Sequence, residues 1–156
     1  MLDAIDAAIV RELQNDARVS NKVLAARVNI APSTCLMRQR ALRDRGVVVG
    51  SHAEVDLAQL GRPVQAAIFV RIRPHTRAVV EQFMQYALDL PETLYVAHLA
   101  GPEDFLVNVA VADAEHLQRV LLDAFTTRKE VAQVHTNLIF EHHRKHVVDP
   151  MPTVLT

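Results

Sequence analysis

Between Val64 and Phe140 the apolar residues pass from alternation to helical spacing and back again, and this order constrains the fold more than any other feature. Val64 to Ile72 reads as an apolar strand. Thr76 can cap a helix with Val80, Phe83, Met84 and Ala87 on one face, ended by Pro91. Leu94 to Ala100 is the next strand, and Gly101-Pro102-Glu103-Asp104 is a turn. Phe105, Val107, Val109 and Val111 alternate along a third strand. Asp113 can cap a second helix, where Leu117, Val120, Leu121, Ala124 and Phe125 share a face. The last strand runs from Val131 to Phe140. The order β-α-β-β-α-β is that of the ferredoxin-like split βαβ, with both helices on one face of a four-stranded antiparallel sheet. The other face would hold Leu106, Asn108 and Ala110, with Val131, Gln133, His135, Asn137 and Ile139. That mixture is too apolar for water and too polar for a core, and a sheet-to-sheet dimer suits it.

The first 46 residues read differently, as three short helices. Leu2, Ile5, Ile9 and Leu13 recur at helical spacing behind Asp3, a plausible N-cap. Ser20 can cap a second helix carrying Val23, Leu24 and Val28, and Asn29 tolerates the left-handed conformation at its end. Ala31-Pro32 opens a third helix, because proline is favoured at the first helical position. Cys35, Gln39, Leu42 and Gly46 mark one side of it, and Arg38, Arg40, Arg43 and Arg45 surround the other. Two short helices joined by Asn29-Ile30-Ala31 form a helix-turn-helix pattern whose second helix would enter the DNA major groove. Residues 47 to 62 are expected to form a strand, with Val49, Ser51, Ala53, Val55 and Leu57 alternating, and a hinge at Gly61-Arg62-Pro63.

Charge divides the chain in the same place. Residues 1–50 hold eight Lys or Arg and five Asp or Glu, and the remainder holds nine and thirteen together with all eight histidines. A basic N-terminal module attracts phosphates. With 50% hydrophobic residues the chain has the material for buried cores, and no apolar run approaches the roughly 18 residues of a membrane helix. The acidic start, without a basic leader, and a single cysteine suit a cytoplasmic protein.

Leu2-Asp3-x-x-Asp6-x-x-Ile9, Leu13-x-x-Asp16-x-Arg18-x-Ser20, Leu24-Ala25-x-Arg27-Val28, Pro32-Ser33-x-Cys35-Leu36-x-Arg38 and Leu42-x-x-x-Gly46-Val47-Val48 resemble the Lrp/AsnC, or feast/famine, transcriptional regulators. Downstream, Gly101-x-x-Asp104-Phe105 adds to the likeness, which covers residues 2 to about 141. The resemblance implies an α+β protein: a winged-type helix-turn-helix joined by a strand and hinge to a ferredoxin-like domain. It implies homodimers assembled into octamers or larger rings, double-stranded DNA as a partner, and a small amino-acid effector between subunits. The expected domains are residues 1–50 for DNA, 51–62 as linker, 63–141 for sensing and oligomerisation, and 142–156 as a loose tail. The chain departs from the family at Ala31, where serine is usual, at Asn29, where glycine is common, at Gln39, where a β-branched residue is usual, and at Met37, which replaces a polar residue.

Ser33, Thr34 and Arg38 of the third helix are expected to approach bases, and Lys22 of the second helix, with Arg40 and Arg45, to favour phosphates. The effector is expected at the turn, with Leu99 and Ala100 as apolar neighbours, Gly101 allowing close approach, and Asp104 accepting from an α-ammonium. No cofactor motif is present. His142-His143-x-x-His146 has metal-like spacing but reads as a solvated tail, and no metal site is expected. His98 and His135 could pair as an acid/base couple, although interface histidines are the better reading. A small dimeric ferredoxin-like enzyme with His98, Asn108 and His135 in its pocket is one alternative function. A ligand-sensing module without DNA binding is another.

Overall fold

The computed structural model describes residues 2–151, which form two separate units. One unit combines the chain up to Ala53 with the segment from His143 onward, and the other spans Glu54–His142. The first contains α1 (Ala4–Asn15), α2 (Asn21–Arg27) and α3 (Pro32–Asp44). Local chemistry sets each start. Asp3 accepts from Asp6 N–H at 2.7 Å, and Ser20 accepts from Val23 N–H at 3.3 Å. Pro32 stands in the first turn of α3. Asn29 turns the chain at φ 55°, in the left-handed region, and Gly46 ends α3 at φ 69°. Ile9, Leu24, Ala25, Cys35 and Leu42 are fully enclosed and form the core, with Leu2, Ile5, Leu13 and Val28 packed around them.

The second unit contains β1 (Val64–Ile72), α4 (Arg77–Asp89), β2 (Thr93–His98), β3 (Phe105–Val111), α5 (Ala114–Val120) and β4 (Val131–Ile139). A π-helical turn, Leu121–Thr126, continues α5. The sheet order is β2-β3-β1-β4, with all neighbours antiparallel. This is the expected ferredoxin-like topology. Ala66, Ile68, Val70 and Ile72 of β1 and Phe105, Val107, Val109 and Val111 of β3 pack under Phe83, Ala87, Leu117 and Phe125. Phe83 lies 4.8 Å from Phe105 between ring centroids, in a tilted arrangement. Thr76 and Asp113 cap their helices as expected.

Three expectations need correction. The strand over 47 to 62 does not form. The chain is exposed from Val49 to Asp56, and residues 57–61 make a turn that closes with Gly61 at φ 75°. An extended segment needs a ladder partner and a face to bury, and here the alternating residues up to Val55 are all exposed. Val131 belongs to the helix side of the sheet, where it packs on the core. Ile72 pairs with Val131 while Arg71 pairs with Gln133, so one extra residue in β4 flips the register. Finally, the tail is held up to Asp149. Arg11 grips Asp149 through Nε and Nη2 at 2.9 and 2.6 Å, and Gln14 exchanges two hydrogen bonds with Val148. Pro152, also assigned to the loose end, lies outside the described residues.

Candidate DNA-contacting helix and effector turn

The buried stripe of α3 is Cys35, Gln39 and Leu42, spaced i, i+4, i+7. Gln39 brings a polar amide into this core. Its Nε2 donates to Asn21 Oδ1 at 2.8 Å and to Cys35 Sγ at 3.6 Å, and Asn21 Nδ2 donates to the Pro32 carbonyl at 2.8 Å. Asn21 therefore satisfies the departure at Gln39 and ties the start of α2 to the start of α3. Ala31 has the extended backbone of an N-cap but no side chain to act as one.

The opposite face of α3 points away from the core. Ser33, Leu36, Met37 and Arg40 are exposed there, and Lys22 is exposed on α2. Thr34 is half-buried. Arg38 does not share that outward face, contrary to the expectation from sequence. Its Nη1 donates to Asp3 Oδ2 at 2.6 Å and to Asp6 Oδ1 at 2.7 Å, so the guanidinium braces α3 against α1. These two carboxylates raise the Arg38 pKa further. The Asp6 backbone N–H, and then Arg38, hold the Asp3 carboxyl below its ordinary value. Arg45 reaches the other Asp6 oxygen at 3.5 Å. Lys22 and Arg40 meet no acidic partner among the described residues.

The turn 101–104 is fixed by backbone bonds: Leu99 N–H to the Asp104 carbonyl at 2.8 Å, and Asp104 N–H to the Val70 carbonyl at 3.0 Å. The Asp104 side chain is engaged as well. It accepts from Ile72 N–H at 2.8 Å and lies 3.4 Å from both Arg73 and His75. Ala100 and Gly101 are exposed, and Leu99 is half-buried. A Cβ at Gly101 would meet open space, and its φ is not left-handed, so nothing in the chain itself demands glycine there.

Glu103 points to the other side of the sheet, a position that sequence reasoning treated only as part of a turn. One of its oxygens lies 4.0 Å from Arg71 Nε and the other 3.7 Å from His135 Nε2. Its Oε2 is buried without a hydrogen-bond partner. Arg71 donates instead to the Pro102 carbonyl at 2.7 Å. Beyond this cluster that sheet face carries Phe69 opposite Leu106 and Ala67 opposite Asn108, and Asn108 and Ala110, expected on an open face, are buried.

His98 and His135 are not a couple. They belong to β2 and β4, the two edges of the sheet. His98 stacks on Phe105 at 5.0 Å, on the helix side, whereas His135 faces Glu103. The pocket of the enzyme alternative, which needed both with Asn108, is not assembled. Among the described residues no group of three or more His, Cys, Asp or Glu gathers to hold a metal, and no helix is long and apolar enough to cross a membrane.

A helix-turn-helix unit with a four-stranded α+β module is the architecture of a ligand-responsive regulator, and known proteins agree. The AsnC-type helix-turn-helix domain matches residues 2–43, and the Lrp/AsnC ligand-binding domain matches residues 65–148. The chain belongs to the Lrp/AsnC family of transcriptional regulators and is not an enzyme. It is 38% identical over 143 residues to the HTH-type transcriptional regulator AldR of Mycolicibacterium smegmatis, covering 92% of this chain and 84% of that protein. It is 32% identical over 137 residues to the leucine-responsive regulatory protein of Rhizobium meliloti, covering 88% of each. Among solved structures, a transcriptional regulator of Neisseria meningitidis in complex with L-methionine superposes with a TM-score of 0.86 at 28% identity, covering 99% of this chain and 98% of that one.

Proposed function

We propose that this protein binds pseudo-palindromic double-stranded DNA as a homodimer, with α3 in the major groove, and that a small amino acid tunes this binding. The exposed outward face of α3 carries the reading. Ser33 and Thr34 lie toward its leading end, where bases are approached. Lys22, Arg40 and Arg45 serve the phosphates, and Arg38 acts as the brace that aims the helix. The effector sits at the turn Leu99, Ala100, Gly101 to Asp104, between subunits of an assembly that reaches an octamer. The open space over Gly101 supports that location, and so does the methionine bound by the Neisseria relative. The Glu103 carboxylate, held only by long ion pairs to Arg71 and His135, is the better acceptor for an α-ammonium, because Asp104 is already engaged by Ile72. Enrichment of bound fragments from random DNA tests the first part. Calorimetry with the twenty amino acids, and light scattering with and without the binder, test the second. A monomer at micromolar concentration that enriches no sequence would overturn the proposal.

A further inference from the structure

The outward face of α3 is unusually apolar for a helix that meets nucleic acid. Met37 is 64% exposed and Leu36 is 40% exposed. Met37 stands diametrically across the helix from the Cys35–Gln39–Leu42 stripe, at 100° per residue, with Ser33 one turn before it. Core packing does not explain a thioether held in water there, and the one arginine of the leading turns, Arg38, is withdrawn to Asp3 and Asp6. Arg40, beside Met37, meets no acidic partner among the described residues, so the face keeps a cation for the backbone while its centre offers methyl and sulfur surface.

The major groove displays one apolar group, the C5-methyl of thymine. We propose that Met37, flanked by Leu36, is a specificity-determining residue that reads a thymine methyl in each half-site. This rests on the DNA-binding reading above. The helix geometry supports it. Met37 is the sixth residue of α3, within the leading turns that approach base edges. Asp44, on the same face but seven residues or about 10 Å further on, marks where an acid would repel the backbone. A short polar side chain at position 37 would lack the reach and the apolar surface for such a contact.

The test uses the full-length protein. A preferred operator is enriched from random duplex DNA, and each thymine in it is then replaced singly by uracil, which lacks only the methyl. Affinity is measured for wild type and for Met37→Ala, with circular dichroism to show that the variant is folded. One thymine per half-site is expected to be sensitive. Its replacement should weaken wild type about fourfold, the factor that corresponds to burying one methyl at about 0.8 kcal/mol, and should leave Met37→Ala unchanged. An operator whose uracil versions all bind wild type equally, or weaken both proteins alike, overturns the assignment while leaving DNA binding intact. Failure to enrich any sequence removes the DNA-binding reading itself, and this inference with it.

Discussion

Arg38 Nη1 lies 2.7 Å from Asp6 Oδ1, and this pair joins α3 to α1. Asp6 is itself buried, at 7% exposure, so its charge has no ready solvent if the arginine is removed. Arg38→Ala is therefore expected to loosen the N-terminal unit and to lower its melting temperature by about 4 °C or more. It should weaken binding to all DNA sequences together. Both bonds leave the single nitrogen Nη1, so the ammonium of Arg38→Lys, with three donors on a shorter reach, should recover part of the loss. Thermal unfolding and binding to enriched and random DNA check this. A change confined to sequence preference, with no loss of stability, would return Arg38 to the bases.

The Gln39–Asn21 bond makes a coupled prediction. Asn21→Ala leaves the buried Gln39 amide with only a weak sulfur partner and frees the Pro32 carbonyl. An unsatisfied buried polar group costs about 1–3 kcal/mol. Adding Gln39→Val should restore much of that loss, because the apolar residue no longer needs a partner. Denaturant unfolding of both single variants and the double variant measures the coupling. Strict additivity would mean that the two side chains do not depend on each other.

Ala31 stands at φ −66° and ψ 144°, the extended conformation a capping residue requires, but its methyl accepts nothing. Ala31→Ser supplies the missing oxygen without moving the backbone. The gain expected is about 0.5–2 kcal/mol. Urea unfolding reads it directly, and an unchanged midpoint would show that the exposed amides of α3 are already satisfied.

Acid should act at the start of α1. The folded pKa of Asp3 is depressed, by the Asp6 N–H and then by Arg38, so its contribution to stability is present above the ordinary aspartate value of about 3.9 and is lost as pH falls through the lower folded value. Amide exchange in residues 4–7 should rise in that window. Asp3→Asn should keep much of the cap but lose the acid dependence. Equal acid sensitivity in Asp3→Asn would assign the transition to another group.

The features legible in the sequence were those whose cause is local. Asp3, Ser20, Thr76 and Asp113 cap their helices because a side-chain oxygen three residues before a bare amide is a local arrangement. The sheet topology followed from the order of periods. The extended segment after Val47 was not legible, since alternation indicates that a strand is possible and not that a partner lies beside it. Arg38 was misplaced for a geometric reason. Three residues after buried Cys35 it lies 60° from the core stripe, turned toward α1, and only the tertiary pairing with Asp3 and Asp6 reveals this. The tail was hidden because its partners, Arg11 and Gln14, are about 135 residues away.

Glu103 and Asp104, adjacent in the turn, have different jobs, and paired substitutions should separate them. Asp104 accepts the Ile72 N–H at 2.8 Å and secures the turn to the end of β1. Asp104→Ala strands that amide, and a loss of about 1–3 kcal/mol in the C-terminal unit is expected whether or not an effector is present. Glu103 makes no such bond through Oε2. Glu103→Gln keeps the shape and removes the charge, so unfolding should change little while amino-acid affinity falls. An ammonium hydrogen-bonded to a carboxylate is worth about 1.5–3 kcal/mol, which corresponds to a loss of roughly ten- to a hundredfold. Denaturation without ligand and calorimetry with the best-binding amino acid give the two readouts. Full affinity in Glu103→Gln, with loss only in Asp104→Ala variants that remain folded, would return the ammonium to Asp104.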